Sequence, residues 1–89
     1  MRQKENIVLR TIVGQKILSI EGAQSVNMSK IITLNDSAAY LWESVAGKDF
    51  TVEDLVNLLL DRYEVDAETA RKDAQAITDT WLKLELLDQ

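Results

Sequence analysis

From Ile7 to Leu34 the apolar positions come in short β-branched runs, and from Asn35 onward they recur at helical spacing. Residues 7–13, IVLRTIV, and 16–21, KILSIE, flank Gly14-Gln15 and predict two strands joined as a hairpin. Residues 22–29, GAQSVNMS, break that pattern at Gly22 and read as a wide turn or as a short strand at Val26–Met28. The run 30–34, KIITL, resumes strand character, with Ile32 and Leu34 on one face and Ile31 and Thr33 on the other. Residues 1–6 are polar and read as a frayed end. The simplest sheet is antiparallel and three-stranded, its outer strands keeping unpaired backbone groups unless something covers them.

Three helices follow, each with a start signal. Asn35 is placed to cap the first, whose apolar face is Ala38, Leu41, Trp42 and Val45, and which should end near Ala46-Gly47. Thr51 and Asp54 form a shortened capping box for the second, with Phe50 and Leu55 at the staple positions. Its apolar surface is Leu55, Leu58 and Leu59, widened by Val52, Val56 and Leu60. Asp66 caps the third, whose line Ala70, Ala74, Ile77, Trp81 and Leu84 keeps to one helical face. Leu86-Leu87 then tuck against the body. The fold class is α+β, a three-stranded antiparallel sheet followed by three helices, in an order shared with winged-helix domains.

Composition narrows the range of functions. A chain of 89 residues is read as one domain, 1–89, with a modest core. It has no cysteine and no histidine, which removes disulfides, thiolate metal sites and the commonest general base. With no membrane-length apolar run and no secretory signal pattern, a cytoplasmic, membrane-free protein is the expectation. The net charge of −5 is divided unevenly: residues 1–34 carry five basic and two acidic side chains, and the helical half is strongly acidic. That half is a poor match for a phosphate backbone.

No constellation in the sequence carries catalysis. The many carboxylates follow solvated helix faces with no spacing that demands a metal or a paired acid and base. Gly14, Gly22 and Gly47 lie too far apart for a phosphate loop. Trp42 and Trp81 fall on apolar stripes and read as core, while Tyr63 reads as a ring at a helix junction. A recognition helix for DNA would have to use Asn57 and Arg62, or Arg71, Lys72 and Gln75, each set interspersed with acids. Peptide capture remains. The open edge of strand 30–34 offers backbone pairing, and a second face of the third helix, with Arg71, Gln75, Thr78 and Leu82, offers a wall suited to an amphipathic or acidic peptide.

The run from Lys30 to Leu87 resembles the family of pyrroloquinoline quinone biosynthesis protein D. The resemblance rests on Leu34-Asn35 with Ser37-Ala38-Ala39 and Leu41-Trp42-Glu43, on Thr51-Val52-Glu53-Asp54-Leu55, on Leu59 and Tyr63, and on the closing Leu84 and Leu86-Leu87. Two features depart from the family pattern: the long segment 22–29, and Ala46-Gly47-Lys48-Asp49 in place of an Asp-Gly turn. The resemblance implies a winged-helix-like RiPP recognition element. Such a domain is a non-catalytic adaptor that holds the leader of a ribosomally made precursor peptide and presents it to a modification enzyme, often a radical SAM protein. By position it implies a peptide site of Lys30, Ile31, Ile32 and Thr33 on the third strand and Arg71, Lys72, Gln75, Thr78 and Leu82 on the third helix. It implies no cofactor, no metal and no catalytic residue. A structural or scaffold subunit without peptide capture is the alternative, and a winged-helix DNA-binding protein comes third. Open sheet edges also allow a homodimer.

Overall fold

The computed structural model describes residues 1–20 and 31–88. Its elements are β1 (Arg2–Gln3), β2 (Ile7–Ile12), β3 (Gln15–Ile20), β4 (Ile31–Leu34), α1 (Asp36–Ser44), α2 (Val52–Arg62), α3 (Ala67–Lys83) and β5 (Leu87–Asp88). β2, β3 and β4 form the expected antiparallel sheet in that spatial order. Segment 22–29, with its alternative strand at Val26–Met28, and Lys30 lie outside the described residues.

The hairpin turns one residue earlier than the sequence suggests. Ile12 pairs with Gln15, so Val13 and Gly14 are the turn residues, at φ 50° and 79°. A turn with positive φ at both central positions matches the twist of the flanking strands, and Gly14 takes it without strain. Val13 does not, because a β-branched residue meets steric conflict there. Cross-strand matching offsets that cost. This register sets Leu9 opposite Leu18 and Ile7 opposite Ile20, whereas a turn at Gly14-Gln15 would set Thr11 opposite Leu18. Continuing across the sheet, Leu18 meets Ile32 and Lys16 meets Leu34. Leu18 and Leu34 are buried, so this face points into the core.

Local capping fixes the helices where the sequence places them. The Asn35 side chain accepts from the Ala38 N–H at 2.8 Å. Thr51 Oγ1 accepts from the Asp54 N–H at 3.2 Å, and Asp54 Oδ2 accepts from the Thr51 N–H at 2.9 Å, completing the capping box. Asp66 Oδ1 accepts from the Thr69 N–H at 2.8 Å. The Thr69 backbone N–H and, after it, the Thr69 hydroxyl hold the Asp66 carboxyl below its ordinary pKa. Gly47, at φ 72°, turns the chain after α1. Leu60, expected to widen the apolar surface of α2, is instead an exposed residue.

The two ends of the chain are tied together, which corrects the expectation of a frayed start. Arg2 pairs with Asp88 and Gln3 with Leu87. Met1 and Phe50 exchange backbone bonds, with Phe50 N–H to Met1 O at 2.7 Å and Met1 N to Phe50 O at 2.8 Å. The Lys4 N–H donates to Leu86 O at 3.0 Å, and Gln3 Nε2 to Trp42 O at 2.6 Å. Polar composition alone suggested mobility here, but the backbone partners of Arg2, Gln3 and Lys4 lie almost the whole chain away and that of Met1 about half of it.

The core is built around aromatic edges. Trp81 meets Trp42 at 5.0 Å and Phe50 at 6.4 Å, both edge to face. Such geometry contributes about 0.5–1.5 kcal/mol per pair beyond area burial. Both tryptophans are core residues, as their stripes suggest, and Leu86 and Leu87 are buried beside them. Tyr63 packs edge-on against Tyr40, over whose ring the Arg62 guanidinium sits 4.8 Å from the centroid.

Candidate functional site

β4 is one of the two edge strands of the three-stranded sheet, the one beside α3. It pairs with β3 on one edge, and no other described strand occupies the second. Beside it runs a groove of about 240 Å³, with Ile32, Thr33 and Leu34 on one bank and, on the other, Ile77 and Thr80 of α3 with its cap residue Leu84. Ala38 of α1 and the buried ring of Trp81 also contribute to its lining. A second depression of about 440 Å³ continues from it, sharing Asn35, Ala76 and Ile77 and adding Leu59, Tyr63 and Asp73. An edge strand with an apolar trough alongside can pair an extended segment through the main chain and sort it by its alternate side chains.

The expected strand residues and the expected helix residues fare differently. Ile32 and Thr33 line the groove, and Ile31 lies within β4 opposite Ser19. Arg71, Lys72, Gln75, Thr78 and Leu82 line neither depression. Arg71 faces α2, giving Glu53 a two-pronged contact at 2.9 and 3.3 Å. That hydrogen bonding and the Glu53 charge raise the Arg71 pKa further above its ordinary value. Lys72 lies 3.8 Å from Glu68 one turn back. Gln75 Nε2 donates to Asp79 Oδ1 at 2.8 Å. Thr78 is 2% exposed, its hydroxyl without a protein partner, and Leu82 packs half-buried against the core.

Helix geometry explains the difference. At about 100° per residue, Arg71, Gln75, Thr78 and Leu82 fall on one flank of the Ala70, Ala74 and Trp81 stripe. Asp73, Ala76, Ile77, Thr80 and Leu84 fall on the other, and that flank turns toward β4. The helix residues expected from the sequence thus lie on the flank of α3 away from this groove. Periodicity finds the centre of a buried stripe and treats its two flanks alike. A partial signal was present, since Ile77 and Leu84 sit at the edge of the stripe, where an apolar side chain is only partly covered.

Among the described residues, no group of three or more His, Cys, Asp or Glu comes together as a metal would require, and no helix is long and apolar enough to cross a membrane. A larger hollow, about 540 Å³, lies at the α1–α2 connection among Lys48, Asp49, Asp54 and Asp61, and no β4 residue lines it.

The sequence family described as Coenzyme PQQ synthesis protein D (PqqD) matches residues 16–87. The chain belongs to the PqqD family. The match takes in β3, β4, all three helices and Leu87, and so covers both banks of the groove. No curated protein sequence matches this PqqD-family chain significantly. A solved structure titled "TbiB1 in Complex with the TbiA(beta) Leader Peptide" has the same fold, with a TM-score of 0.76 over 99% of this chain and 95% of that one at 19% identity.

Proposed function

We propose that this PqqD-family domain is a non-catalytic adaptor. It captures the leader segment of a ribosomally made precursor peptide and presents it to a separate modification enzyme. The observation that carries the reading is the edge of β4 that no other described strand pairs, beside the groove formed with Ile77 and Thr80 of α3 and its cap residue Leu84. The leader adds a strand against Ile31–Leu34, with side chains alternating between the groove and solvent. TbiB1, the protein of like fold, was solved with a leader peptide, and that supports the choice of ligand. The enzyme partner is of the radical SAM type, and the setting is the cytoplasm.

A DNA-reading role fits less well. The cations of α3 that would meet phosphates are engaged with acids, Arg71 with Glu53 and Lys72 with Glu68. The test is a titration of fluorescein-labelled leader peptides, taken from precursor reading frames beside this gene, followed by amide NMR. Saturable shifts at 31–35 and 73–84 are the expected result. A folded protein that binds none of those leaders would overturn the adaptor reading in favour of a scaffold subunit.

A further inference from the structure

The two joined depressions are almost entirely uncharged. Among their lining residues Asp73 alone carries a charge. Its helical neighbours three and four positions away are Thr69, Ala70, Ala76 and Ile77, none of them ionic. No described residue makes an ion pair with it, and nearby cations are engaged elsewhere: Arg62 over Tyr40, Arg71 with Glu53 and Lys72 with Glu68. The carboxylate thus stands at the end of an apolar trough without a counter-ion among the described residues.

We propose, building on the peptide-capture reading, that the groove selects an extended peptide with an aliphatic residue seated against Ile77 and a Lys or Arg about two positions away, meeting Asp73. The spacing follows from geometry. Asp73 and Ile77 are one helical turn apart, about 6 Å along the axis. Side chains on one face of an extended strand recur at about 6.6 Å, every second residue. A peptide paired to β4 therefore brings consecutive same-side residues past Ile77 and Asp73. The preference is the reverse of the one suggested by Arg71, whose charge is spent on Glu53 on the far flank of α3.

A phage-displayed library of random 12-residue peptides, selected on the full chain, on Asp73→Asn and on Asp73→Lys, tests this directly. The wild type should enrich Lys or Arg two positions from Leu, Ile, Val or Phe. Asp73→Asn should lose the charge bias while keeping the apolar anchor, and Asp73→Lys should turn it toward Asp and Glu. Synthetic versions of the selected consensus carrying Lys, Gln or Glu at that position give the size of the effect. The Lys peptide should weaken about three- to fivefold with Asp73→Asn, the scale of an exposed ion pair. Asp73 is exposed, so these variants leave the core untouched, and Arg71→Gln serves as the control that should change nothing. Selection of the same apolar motif with no charge bias would sink this inference alone. Selection of nothing by the wild type would sink the peptide-capture reading with it.

Discussion

Ile77 and Leu82 offer a matched pair of substitutions on opposite flanks of one helix. Both are half-buried, both pack against the same core, and truncation to alanine deletes the same number of carbons from each. At about 0.8 kcal/mol per fully buried methylene, with roughly two thirds or more of each residue covered, each truncation should cost about 1.5–2 kcal/mol of stability. A chain of this length has about 4–13 kcal/mol to lose, so both variants should stay folded. Their binding should diverge. A peptide lying in the groove covers the exposed remainder of Ile77, about a third of it at most, so Ile77→Ala should weaken leader binding by about 0.8 kcal/mol, roughly three- to fourfold. Leu82 lines neither depression, so Leu82→Ala should leave affinity within about twofold. Urea melts followed by circular dichroism measure the stability losses, and fluorescence anisotropy with a labelled leader measures affinity. Equal loss of affinity in both variants, or a greater loss with Leu82→Ala, would refute the placement of the peptide between β4 and α3.

Three further outcomes are expected. Adjacent strand residues turn their N–H groups to opposite edges; hence, of Ile31→Pro and Ile32→Pro, one should lose stability through the ladder to β3 and the other should keep it while losing leader affinity. Urea melts and anisotropy on the pair decide this, and two stable variants that both bind normally would exclude strand addition at β4. Thr78→Val replaces a buried hydroxyl lacking a protein partner with an apolar group of the same shape, so the melt should shift toward stability by about 1 kcal/mol with leader affinity unchanged. The lowered pKa of Asp66 means that its cap stabilises fully above the ordinary carboxylate range and is lost as pH falls through its folded value. Asp66→Asn should therefore flatten the acid limb of a melting-temperature series, and an unaltered acid limb would count against the cap as its source.

Legibility in this sequence followed distance along the chain. Asn35, Thr51 with Asp54, and Asp66 all cap through bonds to residues three positions on, so each helix start could be read from a few letters. The tryptophans were legible because stripe position and side-chain size pointed the same way. Strand identity was legible and register was not, since Val13 in a left-handed turn is locally unfavourable and is chosen only because it aligns Leu9 with Leu18. The two-residue strands β1 and β5 leave no periodicity to detect. The strand side of the groove was visible in KIITL. Its helix side was not, because the flank of α3 that faces β4 depends on how the helix rolls against α1, α2 and the sheet, and the polar pattern of α3 suits either flank.

The clasp between β1 and β5 also bears on how the molecule comes apart. Joining Arg2 to Asp88 closes nearly the entire chain as one loop, and contacts of such separation belong to the last stage of folding. Interactions absent from the transition state act on the exit rate alone. Gln3→Ala frees the β1 segment from its side-chain anchor on Trp42 O while keeping the backbone pairing to Leu87; by loosening the strand that closes the loop it should leave the refolding limb of a chevron in place and raise the unfolding limb. The polar first residues then act as a kinetic latch, setting how long the assembled groove persists once formed.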